Sequence, residues 1–288
     1  MLPATLKLCC GISHQHLRKL TGLQRPAVGA FGKEMSTFIL KSLSGLPNIP
    51  PSLEKMICTK LGTNTVPNVR ETAKLSSEEL FYFTQAEDTL HKAMCMLQQD
   101  GWQEESQEEN GDCIRSKTFP RLGKVCRAEA VIDSPPEHIC RQLFEEYEQM
   151  DQWNPNINKA QILQRIGRNT VLTRETTAPI PISMVSQRDF VSVRHCYRKG
   201  SSLYLIGTAT DSKLGPPQEG VVRAEVGLTC IVLQPIDGDS GKTKFTWLLN
   251  FNLKGWIPQP MADQKLALLQ VDFIQHLRKH LSSRENIC

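Results

Sequence analysis

Two oppositely charged side chains stand in stretches of sequence that otherwise read as β-strands. Glu175 lies within residues 171–176 and Arg194 lies within residues 189–194. If both strands face one cavity, the two charges can neutralise each other there, because an isolated buried charge would cost too much free energy. The alternative is that both side chains point to solvent, and the pattern alone leaves that alternative open.

The segment between these two strands, residues 177–185, is apolar and contains Pro179 and Pro181. The prolines interrupt it too often for a strand in the core of a sheet. A loop as apolar as this one either packs beneath another part of the protein or touches lipid.

The motifs that usually carry catalysis or cofactor binding are missing, and no GxSxG, HExxH or GxGxxG is present. Residues 237–243 resemble a phosphate-binding loop, but Ile236 replaces its first glycine and a strand follows, so we expect a hairpin turn. Leu248 stands where a calcium-binding loop needs its last glutamate. His195 has no nucleophile beside it and is expected on a strand surface. We therefore expect no enzyme, no cofactor and no metal.

The pattern of apolar residues predicts how these positions are held. Residues 75–99 begin with a Ser-x-x-Glu capping pattern and predict a helix with the inward residues Leu80, Phe83, Leu90, Met94 and Leu97. Strand-like segments follow at 123–132, 156–166, 169–177, 188–198, 202–210, 221–234 and 243–254, with a helix at 137–149 after the first. The C-terminal segment has a helical periodicity of apolar residues. Its apolar stripe is formed by Leu266, Leu269, Phe273, Leu277 and Leu281. This order predicts an α+β helix-grip fold, in which a C-terminal helix packs across a curved antiparallel sheet and leaves a cleft.

The net charge of +4 is unevenly distributed along the 288 residues. Residues 1–60 hold eight Lys or Arg and two acidic side chains, which leaves 26 of the 34 basic and 28 of the 30 acidic side chains for the rest. The body is therefore close to neutral. It lacks the cationic excess that a nucleic-acid-binding domain needs, so nucleic acid is excluded as a partner.

The first 33 residues hold five basic and no acidic side chains. On a helix, Lys7, His14, Arg18 and Arg25 share one side and leucines occupy the other. This pattern is typical of a mitochondrial presequence, to which we assign residues 1–41, and a basic tail or surface helix is the alternative. Residues 42–74 contain four prolines and predict a linker. Residues 75–284 form the predicted domain.

Ten cysteines are scattered through the chain without a CxxC pair. Zinc ligation and a disulfide framework both fit this spacing poorly. We therefore expect reduced and mostly structural thiols.

Five segments together resemble a START lipid-transfer domain. They are WNPN at 153–156, QRDFVSVR at 187–194, GVVRAE at 220–225, TKFTWLL at 243–249 and LKGWIP at 253–258. The resemblance covers nearly the whole chain and is weakest across residues 30–75. It implies a helix-grip fold whose tunnel holds one sterol, and delivery of cholesterol to mitochondria for steroid synthesis.

Motif matching also implies roles for single residues. Glu175 and Arg194 match an internal acid–arginine pair that is suggested to anchor the sterol hydroxyl, and Arg188 matches a structural position. The expected ligand-binding residues are Glu175, Arg194, Asn154, Trp247, Leu249, Phe273 and Leu277. The loop at 177–186 matches a flexible gate and the C-terminal helix matches a lid, with the expected gate and lid residues Pro179, Pro181, Met184, Arg188 and Leu281.

The resemblance further implies regulation and partners. Residues 198–201 match a basic-directed phosphorylation site, so a kinase is expected to act at Ser201. Cholesterol, the mitochondrial import machinery and the cytosolic side of the mitochondrial outer membrane are the other expected partners. The chain departs from the family pattern at Pro179, Pro181 and the Ser186-Gln187 pair, which bears on the stiffness of the gate.

Two other kinds of function compete with the carrier. An enzyme using the same cavity is disfavoured, because Glu175 would need a second reactive group and Arg194 would depress its basicity. A lipid-gated interaction module, in which a bound lipid switches partner binding, needs the same lid motion and stays open.

Overall fold

Nine β-strands form one sheet that carries the rest of the described protein. The computed structural model describes residues 75–179, 186–255, 257 and 259–285. The predicted presequence (1–41) and linker (42–74), together with Pro181 and Met184 of the predicted gate, lie outside the described residues. The strands are β1 (Gln103–Gln107), β2 (Cys113–Phe119), β3 (Gly123–Ile132), β4 (Ile157–Ile166), β5 (Thr170–Thr177), β6 (Arg188–Lys199), β7 (Ser202–Ala209), β8 (Val222–Ile236) and β9 (Asp239–Asn252).

Three helical stretches accompany the sheet. Helix α1 (Ser77–Leu97) precedes it and helix α3 (Gln259–Glu285) follows it. Between β3 and β4 lies an inserted segment, in which helix α2 (Pro136–Cys140) continues as a π-helical turn (Arg141–Glu145) and a 3₁₀ turn (Tyr147–Gln152). No helix among the described residues is long and apolar enough to cross a membrane.

The strand order is β1-β2-β3-β9-β8-β7-β6-β5-β4, and every neighbouring pair is antiparallel. Residues 188–190 of β6 also pair in parallel with residues 222–224 of β8, where β7 has already ended. The hairpin between β8 and β9 turns at Asp237 and Gly238, and Gly238 has a φ of 83°. An Asp-Gly pair suits a two-residue turn, so the segment that resembled a phosphate loop is the hairpin turn expected for it.

The two faces of the sheet are both covered, each by a different helix. On the inner face, α3 and the inserted segment pack with residues such as Phe245, Trp247 and Leu249. On the outer face, α1 packs with residues such as Val193 and Leu248. This burial on both sides explains why β9 carries consecutive apolar residues instead of a strict alternation.

Helix α1 begins at the predicted capping box, where the Ser76 side chain accepts from the Glu79 backbone N–H and the Glu79 carboxylate accepts from the Ser76 N–H. Its predicted inward face is only partly right. Leu90 is buried, but Tyr82, Ala86 and Ala93 are its other closest-packed apolar side chains. Alanines let a helix approach a sheet closely, which leaves the larger Leu80, Phe83, Met94 and Leu97 half-buried at its sides.

One further prediction was wrong, and two strands were missed. The helix expected at 137–149 is not one α-helix, since it changes to a π-helical and then a 3₁₀ turn. Strands β1 and β2 were not predicted. Strand β1, at the edge of the sheet, is almost wholly polar and exposed, and so has no apolar alternation to show.

A buried ionic cluster ties β5, β6 and β8 together. Asp189 is fully buried. Its carboxylate accepts a hydrogen bond from Arg174 at 2.5 Å and two from Arg223 at 2.8 and 2.9 Å. Burial raises the pKa of the Asp189 carboxyl, but the hydrogen bonds from Arg223 and Arg174 outweigh this and hold its pKa below the usual range. The carboxylate therefore stays charged and fixes the end of β6 from which Arg188 projects.

Candidate ligand-binding site

A cavity lies between the inner face of the sheet, the inserted segment and α3. About 1050 Å³ of empty space lies between its walls when the solvent at its open mouth is included, and about 150 Å³ of this admits the centre of a water-sized sphere. Most of its wall is apolar. The larger apolar residues of the wall are Leu143, Met150, Ile157, Phe190, Val226, Ile231, Trp247, Leu249, Phe251, Leu253, Leu269 and Phe273.

A charged cluster interrupts this apolar wall. Glu175 of β5 and Arg194 of β6 both line the cavity, and their Oε2 and Nη1 atoms lie 4.0 Å apart. Tyr147 of the inserted segment donates a hydrogen bond of 3.0 Å to the same Glu175 oxygen. The Arg194 guanidinium also lies 4.6 Å from the centre of the Tyr147 ring. The solvent-facing alternative for Glu175 and Arg194 is therefore wrong, since both project into the cavity.

Burial raises the pKa of Tyr147, and the neighbouring Glu175 carboxylate raises it further. The phenol therefore stays protonated and remains a hydrogen-bond donor. A carboxylate, a guanidinium and a phenol together offer both acceptors and donors. Such a cluster can bind a single hydroxyl at the end of an otherwise apolar ligand.

The neighbouring strand leaves room for the arginine. Gly207 of β7 pairs with Arg194 across the sheet. A Cβ atom at Gly207 would lie 2.9 Å from the Thr229 methyl and 3.5 Å from Arg194 Cγ. A larger residue at 207 would therefore force Thr229 to move and would crowd the stem of Arg194.

Most of the other predicted ligand-binding residues also line the cavity. Asn154, Trp247, Leu249 and Phe273 contribute to its wall. The rings of Trp247 and Phe273 are 4.8 Å apart, which joins β9 to α3 across the cavity. Leu277, one turn further along α3, is fully buried but is not among the residues that line the cavity. It packs in the inner core beside Leu281, which is also buried.

Two predicted residues support the cavity through the backbone. The Asn154 side chain is buried, and its Oδ1 accepts the Asn156 N–H at 3.0 Å. Arg188, at the start of β6, donates to the carbonyl oxygens of Ser186, Leu253 and Lys254. Arg188 thus connects the end of the predicted gate with the connection from β9 to α3. Pro179, at the other end of that gate, is exposed.

The prediction for His195 is wrong. This side chain is buried on the outer face, where α1 covers β6, and its Nδ1 lies 2.7 Å from Thr170 Oγ1. Its Nε2 lies 3.6 Å from Glu87 Oε1 of α1. Burial lowers the pKa of His195 to about 4, so the imidazole is neutral near pH 7. The strand pattern pointed to solvent because it did not include the helix that covers this face.

Ser201 is exposed at the turn between β6 and β7. Arg198 and Lys199 precede it, and Arg198 Nη2 lies 3.0 Å from Glu137 Oε1 of α2. Within the part of the chain that the structure describes, no group of three or more His, Cys, Asp or Glu side chains is placed to hold a metal ion.

Six polar residues of the cavity were not predicted, namely Tyr147, Asn156, Thr173, Thr177, Ser192 and Thr229. Tyr147 falls on the stripe of Leu143 and Met150 in the inserted segment, and a tyrosine on a buried stripe usually needs a partner for its hydroxyl. That spacing was the available signal. Thr229 accepts the Trp247 indole N–H at 2.8 Å and so fixes the ring in the wall, but nothing in its local sequence marks this role.

The geometry agrees with what the chain resembles. Residues 83–287 match the model of the START domain. The chain belongs to the START domain family. It is 43% identical to human "Steroidogenic acute regulatory protein, mitochondrial" over 285 residues, which covers 98% of this chain and 97% of that protein. It is 41% identical over 294 residues to the Gallus gallus protein of that name, covering 98% of both.

Solved START structures have the same fold. Human StAR-related lipid transfer protein 5 superposes with a TM-score of 0.66 at 18% identity, covering 72% of this chain and 99% of that one. Human STARD10 superposes with a TM-score of 0.58 at 15% identity, covering 67% of this chain and 78% of that one. The START helix-grip fold implied by the sequence motifs is thus confirmed.

Proposed function

We propose that this START protein binds one cholesterol molecule in its cavity and delivers it to mitochondria for steroid hormone synthesis. The observation that carries this proposal is the cluster of Tyr147, Glu175 and Arg194 in a wall that is mostly apolar. Cholesterol has the matching chemistry, with one hydroxyl at one end of a rigid hydrocarbon. The relatives named above as mitochondrial steroidogenic regulatory proteins, which match nearly the whole chain, support the same function.

The apolar wall and the polar cluster have different tasks. Burying about 500 Å² of sterol surface gives about 12 kcal/mol at about 25 cal/mol per Å². One hydrogen bond to a charged group adds only about 1.5–3 kcal/mol. Trp247, Leu249 and Phe273 should therefore supply most of the affinity, while Glu175 and Arg194 orient the sterol and select for its hydroxyl.

Uptake and release require part of the cavity wall to move. Helix α3 covers the inner face through Leu266, Phe273, Leu277 and Leu281, and the loop at 177–186 is the proposed gate. Arg188 bonds to the backbone at both the gate and the start of the connection to α3. A shift of one therefore disturbs the other, and the loosened apolar stripe of α3 can then lie on a membrane surface.

Targeting to mitochondria and regulation by phosphorylation are part of the same proposal. Residues 1–41 act as a presequence for the mitochondrial import machinery, and residues 42–74 link it to the cargo domain at 75–284. Delivery takes place on the cytosolic side of the outer membrane. A kinase acts at Ser201, which is exposed and follows two basic residues, as a basic-directed kinase requires.

A carrier suits the cavity better than an enzyme does. Glu175 is the carboxylate in the cavity wall, and it already accepts from Tyr147 and faces Arg194. Both partners already engage the carboxylate oxygen that a general base would use. This arrangement favours holding a hydroxyl over removing a proton.

The proposal is tested by removing the charged pair. The double variant Glu175→Leu with Arg194→Met should lower cholesterol transfer from donor to acceptor vesicles about tenfold. A matched control removes an ion pair at the edge of the sheet, Glu105→Leu with Lys124→Met, whose atoms lie 2.8 Å apart away from the cavity. That control should transfer cholesterol at the unmodified rate. Cholesterol transfer and binding that stay unchanged in the Glu175 and Arg194 variant would refute the anchoring role.

A further inference from the structure

Two thiols meet in the inner hydrophobic core, between α2 and β6. Cys140 is the last residue of α2 and Cys196 lies on β6, and their sulfur atoms are 3.6 Å apart. Cys140 is 7% exposed, whereas Cys196 is half-buried. The two residues are separated by 56 positions in the chain, so the contact joins distant parts of the fold.

The surroundings make the two thiols unequal. The contact with Cys140 and the charge of Arg198 lower the pKa of Cys196, while burial and the charge of Glu145 oppose this effect. The same contact raises the pKa of Cys140. Cys196 is the more accessible of the two thiols, and an accessible thiol with a second thiol in contact is suited to react with oxidants.

The contact also lies beside the polar cluster. Cys196 is two residues after Arg194 on the same strand, so both side chains project from the inner face. Cys140 directly precedes the π-helical turn that carries Leu143, and Tyr147 follows in the next turn. A bond between the two sulfurs would therefore fasten the part of the wall that holds Tyr147 against Arg194.

We propose that Cys140 and Cys196 are a reversible redox site, at which a peroxide forms a disulfide that slows ligand exchange. The effect on transfer rests on the proposed sterol-carrier function. Two packed structural thiols are the alternative. The contact, the accessibility of Cys196 and the place of the pair beside Tyr147 and Arg194 favour a redox site.

The reaction is balanced with hydrogen peroxide as the oxidant. The Cys196 thiolate attacks one peroxide oxygen, so an S–O bond forms, the O–O bond breaks and the leaving hydroxide takes up a proton as the first water. The Cys140 sulfur then attacks the Cys196 sulfur, so the S–S bond forms and the S–O bond breaks. The second water leaves with the proton of Cys140. The two thiols lose two electrons and the peroxide gains them, and a dithiol reductant reverses the change by exchange.

The consequence for the cavity follows from the bond length. A disulfide is about 2.05 Å long, so the sulfurs must approach by about 1.5 Å from their separation of 3.6 Å. The inserted segment is then drawn toward β6. A ligand that has to separate Tyr147 from Arg194 enters and leaves more slowly.

The test uses the full-length protein, treated with a small excess of hydrogen peroxide, alkylated and digested for mass spectrometry. We expect a linked peptide with Cys140 and Cys196 in the unmodified protein and in the control Cys95→Ser, whose exposed thiol lies on α1. The variants Cys140→Ser and Cys196→Ser should lack it. Oxidation should slow cholesterol transfer between vesicles at least threefold in the unmodified protein, and dithiothreitol should restore the rate. Peroxide treatment should not change the transfer rate of either serine variant.

Amide hydrogen exchange at residues 141–150, measured without sterol, independently tests whether the disulfide restrains the inserted segment. This exchange should slow on oxidation. Absence of the linked peptide, while the exposed Cys95 is oxidised, would overturn the redox site. A linked peptide with unchanged exchange would overturn the restraint. If the reduced protein moves no cholesterol at all, the proposed carrier function fails, while the mass and exchange results still decide the redox site.

Discussion

The Tyr147 phenol donates to the Glu175 carboxylate at 3.0 Å, and through this bond the inserted segment and β5 meet inside the cavity. The same oxygen of Glu175 faces the guanidinium of Arg194. The polar cluster is therefore a network of three elements, and the pair of strands is only part of it. A ligand hydroxyl that binds here has to fit among groups that already satisfy one another.

Replacing Tyr147 with phenylalanine should weaken the selection for a sterol hydroxyl. Glu175 loses one hydrogen-bond donor, which is worth about 1 kcal/mol. We therefore expect the preference for cholesterol over its 3-deoxy analogue to fall about fivefold. Competition against a fluorescent sterol measures both affinities. The control Tyr204→Phe, on the outer face, should leave the preference unchanged. Equal changes in both variants would show that Tyr147 does not act through its hydroxyl.

Arg188 should hold the gate and the connection to α3 in register. Arg188→Lys keeps the charge but loses the planar fork that reaches Leu253 and Lys254. We expect the free energy of unfolding to fall by about 2 kcal/mol, with faster amide exchange at residues 253–255. Arg115→Lys, at a more exposed ion pair with Glu129, should cost less than about 0.5 kcal/mol. Equal losses in urea unfolding would contradict this role.

The buried His195 should make stability depend on pH. Its pKa in the folded protein is about 4, below the ordinary value of 6.5, so protons bind to the unfolded chain first as the pH falls. Stability contributed by the neutral imidazole is full above about pH 6.5 and declines toward pH 4, by about 3 kcal/mol in all. Glu87, whose pKa is raised by burial, takes up a proton over part of this range and opposes the decline.

The His195 contribution is isolated by the variant His195→Gln. Urea unfolding at pH 7 and at pH 4.5 should show that the unmodified protein loses about 2 kcal/mol more than the variant. Parallel stability curves for the two proteins would contradict a neutral buried imidazole.

Phosphorylation at Ser201 should modulate transfer without creating it. A phosphate adds a charge of about −1.5 to −2 next to Arg198 and Lys199, and it competes with Glu137 for Arg198. We expect Ser201→Asp to change the transfer rate by two- to fivefold and Ser201→Ala to leave the basal rate unchanged. A phosphomimetic rate equal to that of the alanine variant would count against regulation at this turn.

Sequence reasoning predicted the elements whose apolar pattern reports one covered face. The stripe of α3 through Leu266, Phe273 and Leu281 and the strands β3 to β9 were identified in this way, with shifts at their ends. Strand β1 was not, because an exposed edge strand carries no such pattern. The inserted segment was predicted as one helix, since π-helical and 3₁₀ turns keep nearly the same spacing of apolar residues.

The site shows the same limit. Glu175 and Arg194 stood out because charges interrupt strands, but the strand pattern could not show which way they point. The spacing of Tyr147 marked it as buried but not which group its hydroxyl would meet, and the burial of His195 depends on a helix that is distant in the sequence. Tyr147 contacts β5 and β6 from the inserted segment, and His195 is buried only because α1 crosses above it.

The central claim is that the cavity holds one cholesterol molecule. Purified full-length protein is incubated with vesicles of cholesterol and mixed phospholipids, re-isolated, and its bound lipid is extracted and quantified by mass spectrometry. The account predicts about one cholesterol per chain, reduced at least fivefold in the Glu175→Leu, Arg194→Met variant. A phospholipid as the principal bound lipid, or no bound lipid, would contradict it.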